Sequence, residues 1–167
     1  MNGCRQRFIG VYDTKPTGYE GNTWVFQEDF GFLRKDGILV VSPKGSRTDG
    51  ASLPRFFWRI LGHPLHGGNK YWSAGHDSGY QGSVILINTY KYVGTPEKIF
   101  DSWRDLDPHG FIHRADLNRK WFDLNMLETM EFMKVGWLKR RMVYRGVRLG
   151  GRKAYRKDAE GIKPLLS

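Results

Sequence analysis

The chain has 167 residues, 14% of them aromatic, which is enough for one domain with its own core. Its 27 lysines and arginines outnumber 17 aspartates and glutamates, and the formal charge of +10 makes its surface a partner for phosphate, in nucleic acid or in anionic lipid head groups. The only cysteine, Cys4, excludes an intrachain disulfide and fits synthesis in a reducing cytosol.

Taken in chain order, the first third predicts strands: "RFIGVY", "TWVFQ", "FGFLR" and "ILVVS" mix aromatic and β-branched residues, with a turn at "KDG", Lys35 to Gly37. "SPKGSRTDGAS" is loop chemistry, and "PRFFWRILG" predicts a short helix that starts on proline and closes on Gly62. After the loop "GHPLHGG", "NKYWSAGHDSGY" predicts a second helix. "VILINTY" fits either a strand or the end of that helix, and the stretch to His113 is expected to be an excursion or insertion, 84–113. Leu117, Trp121, Leu124, Leu127 and Met130 or Glu131 then recur at helical spacing, predicting a helix from about Ala115 to Met133.

Gly136 separates that helix from another ending at "LGG", in which Leu138, Met142 and Val147 are expected to pack inward. The expected architecture is α+β: a small N-terminal antiparallel sheet followed by a helical half. It forms a single domain over 1–167, with a β-rich part at 1–45, a motif-bearing part at 46–151 and a basic, mobile tail at 152–167. No segment reaches the ~20 apolar residues that span a bilayer, and no signal peptide is expected in "MNGCRQRFIG".

Three polar elements sit among apolar residues that pull them inward. They are Asp49 in "RTDGASLP", the adjacent His76 and Asp77 in "GHDSGY", and Asp123 in "RKWFDLNMLETM". On a helix His76 and Tyr80 share a face while Asp77 points about 100° away. A partly buried Asp123 needs a cation or several donors, which His76 can supply. Gly75 and Gly79 each weaken a helix by roughly 0.8–1.0 kcal/mol relative to alanine. Their presence around the pair predicts that another segment comes close.

"TDGASLP", "HDSGY" and "RKWFDLNMLETM", followed by "VGWLKRRMVYRGVRLGG", resemble in order and content a family of tailed-bacteriophage proteins of unknown function, over about Ser46 to Gly151. Arg119 and Asp123 match the family's third element, whereas Phe122, Met126 and Thr129 depart from it. The same elements are similar to the secreted, calcium-dependent phospholipase A2-like enzymes of bacteria and fungi. That resemblance implies a pair of phospholipase-like helices, with His76 as the general base that activates water, Asp123 orienting its imidazole and Tyr80 hydrogen-bonded to Asp123. It implies Ca2+ bound by Asp49, Asp77 and a backbone carbonyl near Gly50. The chemistry is coherent: ester hydrolysis needs a base titrating near working pH and a positive charge where the carbonyl oxygen becomes anionic. Calcium takes 6–8 oxygen ligands, as this set with water would provide.

Other readings of the same residues stay open. Asp116 in "RADLN" competes with Asp123 for His76, and Arg119 and Asp123 have the spacing of a helix-surface ion pair. Asp49 can cap the turn that follows it. His63 and His66, with His76 and Asp77, make a conceivable zinc set without cysteine. His109 and His113 are expected to be solvated. The cations from Lys139 to Lys157, interleaved with Trp137, Tyr144 and Tyr155, suit a solvated face, a phospholipid or membrane surface, or nucleic acid. Lipid is preferred, because no zinc-finger or RNP-like motif is present. The expected function is a phage-encoded, calcium-assisted ester hydrolase made in a host cytoplasm. The alternative is a non-catalytic tail or neck component of the virion that contacts other virion proteins.

Overall fold

The computed structural model describes residues 4–16, 23–48, 69–151 and 155. The helix expected in "PRFFWRILG", the loop bearing His63 and His66, and the tail apart from Tyr155 lie outside these residues. So do Asp49 and Gly50.

The N-terminal strands form two antiparallel sheets rather than one. β1 (Arg7–Gly10), β4 (Phe30–Leu33), β5 (Ile38–Ser42) and β7 (Ile85–Asn88) lie in the order β1-β4-β5-β7. β2 (Thr14–Pro16), β3 (Trp24–Phe26) and β6 (Arg47–Thr48) lie in the order β2-β3-β6. In the larger sheet Phe30 faces Ser42 and Leu33 faces Leu39, closed by the predicted turn at Gly37, whose φ is +79°. "VILINTY" resolves into β7 because the preceding helix ends at Gly82, also in the left-handed region, with Ser83 N donating to Ser78 O at 2.9 Å.

Alternation along β5 and β7 divides the core. Val40 and Leu86 face one layer with Trp72, Phe122, Met126, Met130, Val143 and Val147. Leu39, Val41 and Ile87 face the other, where Ile99, Phe100 and Trp103 cover them. The stretch 84–113, expected to be an excursion or insertion, packs into the core. It supplies an edge strand and, through the short helix α2 (Pro96–Asp101), one wall of the core.

The helical layer contains α1 (Asn69–Gln81), α3 (Arg119–Phe132) and α4 (Trp137–Gly150). α3 starts four residues later than its apolar spacing suggests. Residues Arg114–Asp116 form a 3-10 turn, and the Asn118 side chain caps α3 by accepting from Trp121 N at 3.1 Å. Its buried face is also different: Phe122, Met126 and Met130 are fully buried, whereas Leu124 is exposed. The buried polar residues of α3 explain this rotation. Asn125 accepts from Arg34 Nη1, and Glu128 accepts from Gln6 Nε2 and Lys35 N while pairing with Arg34. With those partners in place, the polar residues remain on the inside. In α4, Val143 and Val147 pack inward as Met142 partly does, but Leu138 is exposed.

Candidate active site

α1 lies between the larger sheet and α3, and small residues let it approach both. An added Cβ at Gly79 would sit 2.1 Å from the Phe122 ring, and one at Gly75 would sit 3.0 Å from Asn125 Nδ2 and from Val40 Cγ1. On the sheet side Ser78 Oγ donates to Ser42 Oγ at 2.8 Å. The two glycines thus serve the close approach that their helix cost implies. This contact carries His76 into the protein, where it is 0% exposed.

His76 and Tyr80 share one face of α1, with ring centroids 4.0 Å apart. His76 Nε2 lies 3.3 Å from Asp123 Oδ1, which also accepts from Tyr80 OH at 2.5 Å. The other ring nitrogen, Nδ1, lies 3.0 Å from Asp77 Oδ1. Asp77 Oδ2 in turn accepts from Thr48 Oγ1 at 2.5 Å. Asp123 Oδ2 accepts from Arg148 Nη1 at 2.8 Å, across from α4.

The electrostatics follow from this geometry. Burial alone would push the His76 imidazole toward its neutral form, but hydrogen bonds to Asp123 and Asp77 outweigh it and raise the pKa to about 9. Both ring nitrogens therefore carry protons at neutral pH, and each donates to a carboxylate. Burial works against the Asp123 carboxylate, yet His76, Arg148 and Tyr80 hold its pKa below the usual range. Burial and the bond to Asp123 keep the Tyr80 phenol well above its ordinary pKa, so it stays a donor.

Asp123 is thus the carboxylate that meets His76. Asp116 is exposed in the 3-10 turn. Asp123 pairs across helices with Arg148 rather than with Arg119, whose Nη2 instead donates to Arg148 O at 3.1 Å. His109 and His113 are exposed, as expected. Of the proposed calcium set, Asp77 is present as a hard oxygen donor, and Thr48, which holds it, directly precedes Asp49 in the chain. Both Asp77 oxygens are engaged, by His76 Nδ1 and Thr48 Oγ1, and the described residues hold no group of three acidic, histidine or cysteine ligands.

Three residues of the site were not among the sequence candidates. Thr48 carried a signal, since it stands in the "RTDGAS" element itself. Arg148 was hidden in a run of cations that reads as a solvated face. Arg114 donates from Nε to Gly79 O at 2.6 Å and sits 4.9 Å from the Tyr155 ring centroid. It thereby caps the carboxyl end of α1 beside Tyr80.

An α+β protein with both faces of its larger sheet covered and a buried histidine held between two carboxylates is what the fold and site define. Residues 24–147 match the family described as protein of unknown function, DUF1353, and the chain belongs to that family. It is also 33% identical over 75 residues to the uncharacterized protein y4jT of Sinorhizobium fredii (strain NBRC 101917 / NGR234), a match that covers 42% of this chain and 22% of that protein. The chain thus spans well under two thirds of this relative's length. No solved structure matches the chain. Among the described residues no helix is long and apolar enough to cross a membrane.

Proposed function

We propose that the protein is a phage-encoded ester hydrolase acting on phospholipid, with His76 as the general base. The observation that carries this reading is the convergence of His76, Asp123 and Tyr80 from two helices, with Asp77 at the opposite ring nitrogen. Asp123 suits an orienting role, because two donors besides the imidazole keep it ionised and immobile. Tyr80 donates to the same oxygen and packs on the imidazole, restricting ring rotation.

The arrangement described is a closed one. A doubly protonated, fully buried imidazole cannot take a proton from water, so activity requires Asp77 to leave Nδ1 and water to reach it. Losing one anionic neighbour lowers the imidazole pKa toward its ordinary value, which is the change a base working near neutrality needs. In this reading Asp77, with Asp49 and the Gly50 carbonyl, would hold a calcium ion, whose chemistry would be to supply positive charge for the developing oxyanion.

The test is release of fatty acid from phospholipid vesicles by the full chain with calcium added. Release by the parent and its loss in His76→Gln and Asp123→Asn support the reading, provided that the variants stay folded by circular dichroism. Equal release by His76→Gln removes it.

The closure of His76 also favours a second reading, in which the cluster only locks α1 to α3 and α4 and the protein is a tail or neck component of a virion. In that case the parent releases nothing with calcium, and peptides of this chain are recovered from purified particles in a fixed copy number.

A further inference from the structure

Helix α4 contains five cations and no acidic residue. Two of the cations are used internally: Arg148 reaches Asp123 at 2.8 Å, and Arg140 reaches Glu131 at 2.9 Å. Arg141 lies 4.9 Å from the centroid of the Trp137 ring and is exposed, as is Arg145. At 100° per residue, Trp137, Leu138, Arg141, Arg145 and Leu149 fall within about 120° of the helix circumference and span about 18 Å, with Arg148 near one edge of the same arc, its guanidinium turned in to Asp123. Val143 and Val147, on the opposite side, anchor the helix in the core. The outward face keeps Trp137 59%, Leu138 64% and Leu149 83% exposed.

We infer that this face of α4 docks on an anionic phospholipid bilayer. The charge is complementary, since two arginines stand on a helix without a carboxylate in a chain of charge +10. The apolar groups choose among polyanions. Trp137 and the two leucines gain by entering the headgroup boundary, whereas a nucleic-acid backbone rewards the cations alone and leaves the leucines in water. The arginine stems bury along the same boundary while their guanidinium groups remain at phosphate level. Arg148 ties this helix to the carboxylate that meets His76, on the side of α4 that faces the core. The choice of lipid as a partner of this site rests on the hydrolase reading, but the binding itself does not.

The test is co-sedimentation of the full chain with vesicles of phosphatidylglycerol and phosphatidylcholine, and with phosphatidylcholine alone, in chelator to remove calcium. Binding to the anionic vesicles that weakens with salt is expected. Each arginine near such a surface contributes a factor of about five, so Arg141→Ala with Arg145→Ala lowers partitioning roughly 30-fold. Trp137→Ser with Leu138→Ser weakens binding while leaving its salt dependence in place. His76→Gln binds like the parent, so failure of the hydrolase reading and failure of docking are separately visible. Equal binding to both vesicle types, unchanged binding of the double arginine variant, or displacement from vesicles by duplex DNA at equal phosphate concentration overturns the inference.

Discussion

His76 and His109 make the same contacts in opposite surroundings. Each sets Nδ1 3.0 Å from the carboxylate of a near neighbour in the chain, Asp77 or Asp107, and each offers Nε2 to a second oxygen, from Asp123 or from the Lys91 carbonyl. The His76 side chain is 0% exposed and the His109 side chain 53%. Both pKa values are raised, but only for His76 does water fail to compete for the charges. A short His–Asp distance therefore says little by itself. Burial decides whether such a pair holds the fold together or merely decorates it.

Breaking the pairs one side at a time separates these cases. The largest effect is expected for Asp123→Ala, which removes the shared acceptor of His76 Nε2, Tyr80 OH and Arg148 and should cost about 3–5 kcal/mol in urea unfolding. Asp107→Ala in the exposed pair should leave the midpoint unchanged.

The next effect is a pH dependence. Between the unfolded value of 6.5 and the folded value of about 9, the native protein keeps a proton on His76 that the unfolded chain releases. Stability from this group is thus fully present below about pH 6.5 and is lost as pH rises through about 9, a loss on the order of 3 kcal/mol. Unfolding measured in urea across that range checks the sign, and NMR of the His76 ring protons checks the site.

Gly79→Ala tests the approach that buries His76. Its Cβ meets the Phe122 ring at 2.1 Å, and a destabilisation of about 1–3 kcal/mol is expected. Gly136→Ala, with open space around the added carbon, should differ little from the parent. The smallest effect belongs to His109→Ala, for which the thermal midpoint should not move measurably.

Much of the candidate site was legible because it is written in local spacing. The i,i+4 relation puts His76 and Tyr80 on one face, and Gly75 and Gly79 announce a close neighbour. Asp123 stands among apolar residues in a helix, which demands a partner. The choice between Asp123 and Asp116 was only partly legible: Asp123 has Met126 three residues on where Asp116 has Arg119, and the Asn118 cap is what leaves Asp116 outside the helix. Arg148 was missed for a related reason: a cation in a run of cations looks solvated until another helix places a carboxylate beside it. The fold shows the same division. Strands β1, β3, β4 and β5 followed from composition, whereas β6 lies in the stretch read as loop, and β7, which could also have ended a helix, joined the main sheet by pairing with β5 44 to 50 residues earlier in the chain.

By itself the sequence determined the class of fold, most of the N-terminal strands, the helices around His76 and Asp123 and the types of side chain available for chemistry, because turn residues, helical periodicity and glycine spacing act over a few residues. Tertiary structure alone decided that His76 lies between two anions, that α3 turns its polar residues inward and that Arg148 serves Asp123. Those outcomes depend on which distant groups share a region without water, where every charge must find a partner, and local patterns carry no record of that.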